Sequence, residues 1–244
     1  MTTRINLTQD GLSWIDVYTL PKDLIPTEEQ MEALWNLHPE KMGKVKLMGK
    51  ELQTPRWHQS YMKPYKFSGL QHDAVPLPSE VKPFLDFANS SVYPSMYGSP
   101  TLFNMCLINW YENGLHNIGL HSDDESEMVK TKNGCSLVFS ISLGQERIFR
   151  LKPKLKRDDH FSIDVPMPNG TVVVMGGTCQ STHKHTVPKV AGQKGLAMKR
   201  RINLTFRQFM ETNKRVREDP ITETEIDRPS KKQKVETDST IKSH

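Results

Sequence analysis

The sequence predicts a β-rich α+β domain, a two-sheet jelly roll preceded by helices. Three observations predict it. From Phe103 onward the apolar residues fall into eight short β-like runs divided by turn residues, with no long helix between them. Ahead of them, two stretches carry apolar residues at a helical period. After residue 211 the composition changes to one that cannot build a core.

The first helical stretch starts at Thr27, whose hydroxyl can cap a helix with Gln30 three residues on; Met31, Leu34, Trp35 and Leu37 then make its apolar face. Ser79 opens the second, with Val81, Phe84, Leu85 and Ala88 on one face. Pro83 fits there only in the first turn, where a missing N–H costs nothing. The β-like runs are Phe103–Tyr111, Gly119–Ser122, Ser136–Leu143, Arg147–Leu151, Phe161–Val165, Thr171–Met175, His183–Val187 and Arg200–Phe209. Asn113-Gly114, Asn133-Gly134, Pro168-Asn169-Gly170 and Gly176-Gly177 punctuate them. Strands in this number close into two facing sheets with a lined mouth. Residues 212–244 hold 8 basic and 7 acidic residues, five aliphatics and no aromatic. They are expected to be a disordered, charged tail behind a folded body of residues 1–211, with the helices within about residues 1–100 and the jelly roll from about 101.

The 244 residues are 36% hydrophobic and 25% charged. No run approaches the ~18 apolar residues of a membrane helix, and Met1–Gly11 lacks an apolar signal core. Three cysteines, Cys106, Cys135 and Cys179, are too scattered for a disulfide scaffold or a cysteine-based zinc site. An intracellular, membrane-free monomer is expected. The formal charge is +5, and 25 basic against 21 acidic residues leave +4 on the body, which permits an anionic partner.

Three segments carry candidate chemistry. In His121-Ser122-Asp123 an imidazole and a carboxylate two residues apart share one face of a strand. With a second histidine they would make a 2-His-1-carboxylate site, which leaves coordination positions open on Fe(II). In Arg201-Ile202-Asn203-Leu204-Thr205-Phe206-Arg207 the alternation is strict: Ile202, Leu204 and Phe206 face a core, and Arg201, Asn203, Thr205 and Arg207 face the other way. Two guanidiniums flanking an amide and a hydroxyl suit a dicarboxylate, with Asn109 and Tyr111 as neutral donors beside them. In His183-Lys184-His185 either histidine could be the remote ligand, because both face the same way on a strand.

Asn109-x-Tyr111, His121-x-Asp123-Asp124-Glu125, Ser142-Leu143-Gly144, His185-x-Val187-Pro188 and Arg201-x-Asn203-Leu204-Thr205-Phe206-Arg207, in this order and spacing, resemble the AlkB family of Fe(II)/2-oxoglutarate dioxygenases. The likeness runs from about Pro55 to Phe209 and is greatest to the eukaryotic AlkB homologues that demethylate alkylated DNA bases. It implies a double-stranded β-helix, Fe(II) held by His121, Asp123 and His185, and 2-oxoglutarate and O2 as co-substrates. His185 is singled out because the family's ligand stands two residues before the Val-Pro step. Arg201 would meet the distal carboxylate of 2-oxoglutarate and Arg207 would lie near its keto-acid end, with Asn109, Tyr111, Asn203 and Thr205 completing the pocket. One departure is His183, where the family often has an aromatic. The implied reaction couples decarboxylation of 2-oxoglutarate to hydroxylation of a base N-methyl group, which then leaves as formaldehyde.

The resemblance also implies a nucleotide-recognition hairpin region and a flipped base. Leu47 and Met48 of Leu47-Met48-Gly49-Lys50 would act as an apolar wedge in the vacated stack. Tyr65-Lys66-Phe67-Ser68-Gly69 resembles the family's base-binding strand, with Phe67 stacking on the base and Asp124 and Glu125 favouring its positive charge or exocyclic amine. Lys44, Lys46, Lys50, Arg56, Lys63 and Lys66 would neutralise phosphates of DNA, or of RNA. In the tail, Lys214-Arg215 and Arg228-Pro229-Ser230-Lys231-Lys232-Gln233-Lys234 resemble a bipartite nuclear-import signal. The metal and co-substrate residues equally serve an oxygenase of protein or small molecules, and a non-catalytic jelly-roll binding module is a third reading.

Overall fold

The computed structural model describes residues 1–47, 49–67, 70–90, 102–130 and 134–211, with the side chains of Leu47 and Phe67 left out. The chain enters not by a helix but by two antiparallel strands, β1 (Thr3–Asn6) and β2 (Ser13–Thr19). Their buried charge, Asp16, disguises the pattern: Arg4 crosses to it with a two-pronged pair at 2.7 and 2.8 Å. Helix α1 (Glu28–Trp35) starts at Thr27 with the expected capping box. Next come the hairpin β3 (Lys44–Leu47) and β4 (Lys50–Gln53), then β5 (Trp57–Tyr61), β6 (Tyr65–Phe67), β7 (Leu70–His72) and β8 (Ala74–Val75). Helix α2 (Lys82–Ser90) begins three residues past Ser79, which leaves Pro83 in the first turn.

The predicted runs follow as β9 (Met105–Tyr111), β10 (Ile118–His121), β11 (Val138–Gly144), β12 (Arg147–Pro153), β13 (Ile163–Met167), β14 (Thr171–Gly177), β15 (His183–Val187) and β16 (Arg201–Arg207). Two short helices, α3 (Cys179–Thr182) and α4 (Gly192–Leu196), flank β15. Strand β14 runs two residues past the expected Met175 and takes in Gly176-Gly177 at its end. The expectations for Met48, Ser68, Gly69, Asn133 and the tail lie outside the described residues.

A major sheet, ordered β1-β2-β14-β11-β16-β9-β5-β8, faces a minor one, β10-β15-β12-β13. The major sheet is covered on both sides. Cys106, Ile108, Trp110, Phe139, Val172, Ile202, Leu204 and Phe206 pack toward α1 and α2 with Leu34, Trp35, Val81, Phe84 and Ala88. Their alternate neighbours Met105, Leu107, Val138, Val173 and Met175 pack with Phe149, Leu151, Val165 and Val187 of the minor sheet. Each such side chain contributes roughly 1.5–3 kcal/mol by leaving water. Trp110 also donates its Nε1–H to the Leu34 carbonyl at 2.9 Å, tying sheet to helix. Both faces being covered, all seven residues of β16 are buried, not half of them.

Candidate active site

The site lies between the sheets, where inward positions turn polar. Asn109 and Tyr111 continue the inner row of β9, and Arg201, Asn203, Thr205 and Arg207 form that of β16. Ser140 and Ser142 supply the inner row of β11, opposite Thr205 and Asn203.

Strand pairing brings the candidate metal ligands together. His121 ends β10 directly opposite His185 of β15, so the rings stand 4.2 Å apart. Asp123, just past the strand, presents Oδ1 3.7 Å from His121 Nε2 and Oδ2 3.8 Å from His185 Nε2. One ligand atom from each residue lies within 4.8 Å of the others. The surroundings hold these groups in place. His121 Nδ1 stands 2.9 Å from the Gly119 carbonyl, the Asp123 N–H donates to Gln180 Oε1 at 2.9 Å, and Phe149 packs 5.2 Å from the His185 ring. His183 faces inward as expected, but it pairs beyond the end of β10. Its Nε2–H donates to the Phe161 carbonyl at 3.1 Å, Nδ1 lies 2.8 Å from Thr182 Oγ1, and the ring stacks on His160.

Burial disfavours charge on Asp123, but Arg207, then His185 and His121, outweigh it and hold the carboxyl down to about 2. Burial pushes His185 down to about 3, helped by His121, and lowers His121 as well. Both imidazoles are therefore neutral, as metal ligation requires, and the carboxylate is ionised.

Beside this trio lies a polar chain. Arg201 donates from Nε to Ser142 Oγ at 2.9 Å and from Nη2 to Asn203 Oδ1 at 2.6 Å; Asn203 Nδ2 donates to Thr205 Oγ1 and Ser140 Oγ. Arg201 Nη1 and Arg207 Nε are buried without a hydrogen-bond partner among the described residues. Burial lowers the Arg201 guanidinium to about 10. Arg207 moves the other way, because Asp123 and Glu125 overcome the same burial. Unmet buried donors call for an anion, and a dicarboxylate fits them. The N, N, O donor set likewise fits Fe(II) with open positions.

At the mouth, Tyr65 is buried beneath Arg207, whose Cζ lies 5.3 Å from its ring, and its hydroxyl donates to Glu125. Burial raises the Glu125 carboxyl, and its Oε2 has no hydrogen-bond partner among the described residues. Asp124 instead is exposed and pairs with Lys154 Nζ at 3.2 Å. Lys44, Lys46, Lys50 and Lys66 are exposed, and Gly49 turns the hairpin with φ 78°. Arg56 does not join them. It is 4% exposed, donates from Nε to Asn109 Oδ1 at 2.6 Å and lines the cleft, because the inward row of β9 offers it an acceptor. Met48 and the Phe67 side chain lie outside the described residues. Sequence reasoning missed Ser140, Gln180 and Arg147, since their types signal nothing until the strands are paired.

The chain matches the family described as the 2OG-Fe(II) oxygenase superfamily over residues 23–207. The alpha-ketoglutarate-dependent dioxygenase alkB homolog 3 of Bos taurus is 32% identical over 111 residues, 43% of this chain, which spans 36% of that relative's length. The DNA oxidative demethylase ALKBH2 of Bos taurus is 31% identical over 182 residues, 71% of this chain and 60% of that protein. The solved structure of OsALKBH1 superposes with a TM-score of 0.49 at 18% identity, covering 80% of this chain and 96% of that one. Matched over well more than half its length, and with AlkB homologues among its relatives, the chain belongs to the 2OG-Fe(II) oxygenase superfamily.

Proposed function

We propose that this protein is a nucleic-acid oxidative demethylase, acting on bases of the 1-methyladenine and 3-methylcytosine kind. The observation that carries the reading is the neighbourhood of His121, Asp123 and His185 with two buried guanidiniums that hold unmet donors, Arg201 and Arg207. His121, Asp123 and His185 would hold Fe(II); Arg201 and Arg207 would hold the carboxylate groups of 2-oxoglutarate, with Asn109, Tyr111, Asn203 and Thr205 around it. Bound there, Fe(II), 2-oxoglutarate and O2 supply the oxidant for hydroxylating a methyl carbon on a base nitrogen.

The substrate side rests on the mouth. Glu125 offers a buried carboxylate oxygen to an exocyclic amine or a cationic ring, and Tyr65 fixes its orientation. The exposed lysines of the β3–β4 hairpin and of β6 suit the phosphates of DNA around a flipped base. The names of the ALKBH2 relatives favour DNA, and the two basic clusters of the tail, Lys214-Arg215 and Arg228–Lys234, favour the nucleus.

The test is incubation of the purified protein with Fe(II), ascorbate, 2-oxoglutarate and oligonucleotides carrying 1-methyladenine or 3-methylcytosine, as single strand and duplex. Formaldehyde release is expected. Its absence with every methylated oligonucleotide, alongside succinate formed with a peptide or small molecule, would favour the alternative oxygenase reading.

A further inference from the structure

Arg147 opens β12, and the strand's alternation turns Arg147, Phe149 and Leu151 to the inner face. Phe149 packs on His185, so Arg147 sits two residues further along the same row, toward Arg201 and Tyr111. Its side chain is buried, with 3% exposure. Nη1 donates to the Asn113 carbonyl at 3.2 Å, and Nη2 reaches the carbonyls of Gly114, His116 and Pro188 at 3.4, 3.0 and 2.7 Å. One guanidinium thus clamps the loop after β9 to the loop after β15.

No described carboxylate lies within ion-pair distance of Arg147 or of Arg201. Both guanidiniums instead lie near the Tyr111 ring, Cζ of Arg201 at 4.9 Å and Cζ of Arg147 at 5.9 Å. Two buried cations with one aromatic ring and no counter-ion are costly unless something anionic joins them. Carbonyl dipoles satisfy the N–H groups of Arg147 but do not neutralise its charge. Arg201, by contrast, keeps an unused Nη1–H.

We propose that Arg147 is a positioning residue for the dicarboxylate: it touches no ligand, but sets Tyr111 against Arg201 and adds the second positive charge that makes the Arg201 end select a carboxylate. The inference rests on the proposed binding of 2-oxoglutarate, and assigns to Arg147 the preference for a ligand with a distal acid group. Ordinary packing would hold any ligand of the same length equally well; a fixed charge discriminates.

The test compares wild type, Arg147→Lys and Arg147→Gln as Mn(II)-loaded proteins, with affinities measured by calorimetry. One probe is 2-oxoglutarate. The other, 2-oxovalerate, has the same chain length without the distal carboxylate and is titrated to millimolar concentration. Arg147→Gln is expected to weaken 2-oxoglutarate about tenfold and 2-oxovalerate less than about twofold, while Arg147→Lys keeps most of the selectivity. Equal weakening of both probes, or unchanged affinity for 2-oxoglutarate, overturns the inference. Thermal melts identify a variant that has merely unfolded, in which case the Lys variant's selectivity ratio decides. A wild type that binds Mn(II) but not 2-oxoglutarate overturns the parent reading instead.

Discussion

Arg207 Nη2 lies 2.8 Å from Asp123 Oδ1, and both side chains are buried, with 2% and 1% exposure. The last strand thereby holds the carboxylate that stands between His121 and His185. In Arg207→Met the carboxyl rises toward or above its usual range, because burial then acts without the opposing cation. The two imidazoles also lose a nearby positive charge and protonate more readily. Both changes act in the same direction, so the variant should release Mn(II) at a higher pH than wild type in a titration from about pH 8 to 4 followed by electron paramagnetic resonance. An unshifted midpoint would show that Arg207 does not govern the carboxylate.

His185→Ala should lower Mn(II) affinity by more than about a hundredfold and abolish formaldehyde release, since it removes one of three donors. His183→Ala, two residues away on the same face, should leave affinity within about threefold and cost stability instead, through its lost bond to the Phe161 carbonyl. Calorimetry and thermal melts separate the two. Equal metal loss in both variants contradicts the assignment.

Asp124 and Glu125 are adjacent, but Asp124 is exposed whereas Glu125 turns a buried carboxylate oxygen toward Tyr65 and Arg207. Glu125→Gln should reduce turnover of a methylated oligonucleotide about tenfold while leaving 2-oxoglutarate binding intact. Asp124→Asn, which breaks only an exposed pair with Lys154, should change neither turnover nor stability appreciably. Steady-state kinetics on one substrate decides; the reverse ranking sinks the proposed role of Glu125.

His58 packs against His72 with 3.4 Å between Nε2 and Nδ1, and burial, then Arg56 and His72, pushes it from 6.5 down to about 3. A folded value below the unfolded one means that the unfolded chain gains a proton, between about pH 6.5 and 3, that the folded chain refuses. Stability therefore falls as pH drops through that window, by up to ~1.4 kcal/mol per pH unit for this group. His58→Gln should flatten the acid side of the melting-temperature profile. A profile as steep as wild type would assign the acid loss to other groups.

Gly177 has φ 62°, and a Cβ there would stand 1.9 Å from the Leu12 carbonyl oxygen. Backbone cannot yield as a side-chain tip can, so Gly177→Ala should cost roughly 2–4 kcal/mol. Gly119 has open space around its missing Cβ and an ordinary φ, and Gly119→Ala should stay within about 0.5 kcal/mol. Denaturant melts of the two variants test the contrast.

Sequence alone determined the elements whose residues carry a local signal. The capping box at Thr27, the strict alternation through Arg201–Arg207 and the turn glycines each state their structure within a few residues, and the ordered motifs carried the family. Strands β1 and β2 escaped notice because Asp16 breaks an apolar row, and its pairing with Arg4 spans twelve residues. The candidate site was legible as a set of residues, but not as a set of distances. The resemblance singles out His185, and pairing supplies the physical reason that it rather than His183 meets His121, for β10 ends opposite one and short of the other. Packing decided that Arg56 turns inward to Asn109 and that Asp124 and Glu125 part company. It also brought Ser140 into the lining of the cleft, Gln180 onto the Asp123 N–H and Arg147 beside Tyr111. These were invisible beforehand because a buried polar side chain is defined by the partner it finds, and those partners lie up to 63 residues away in sequence.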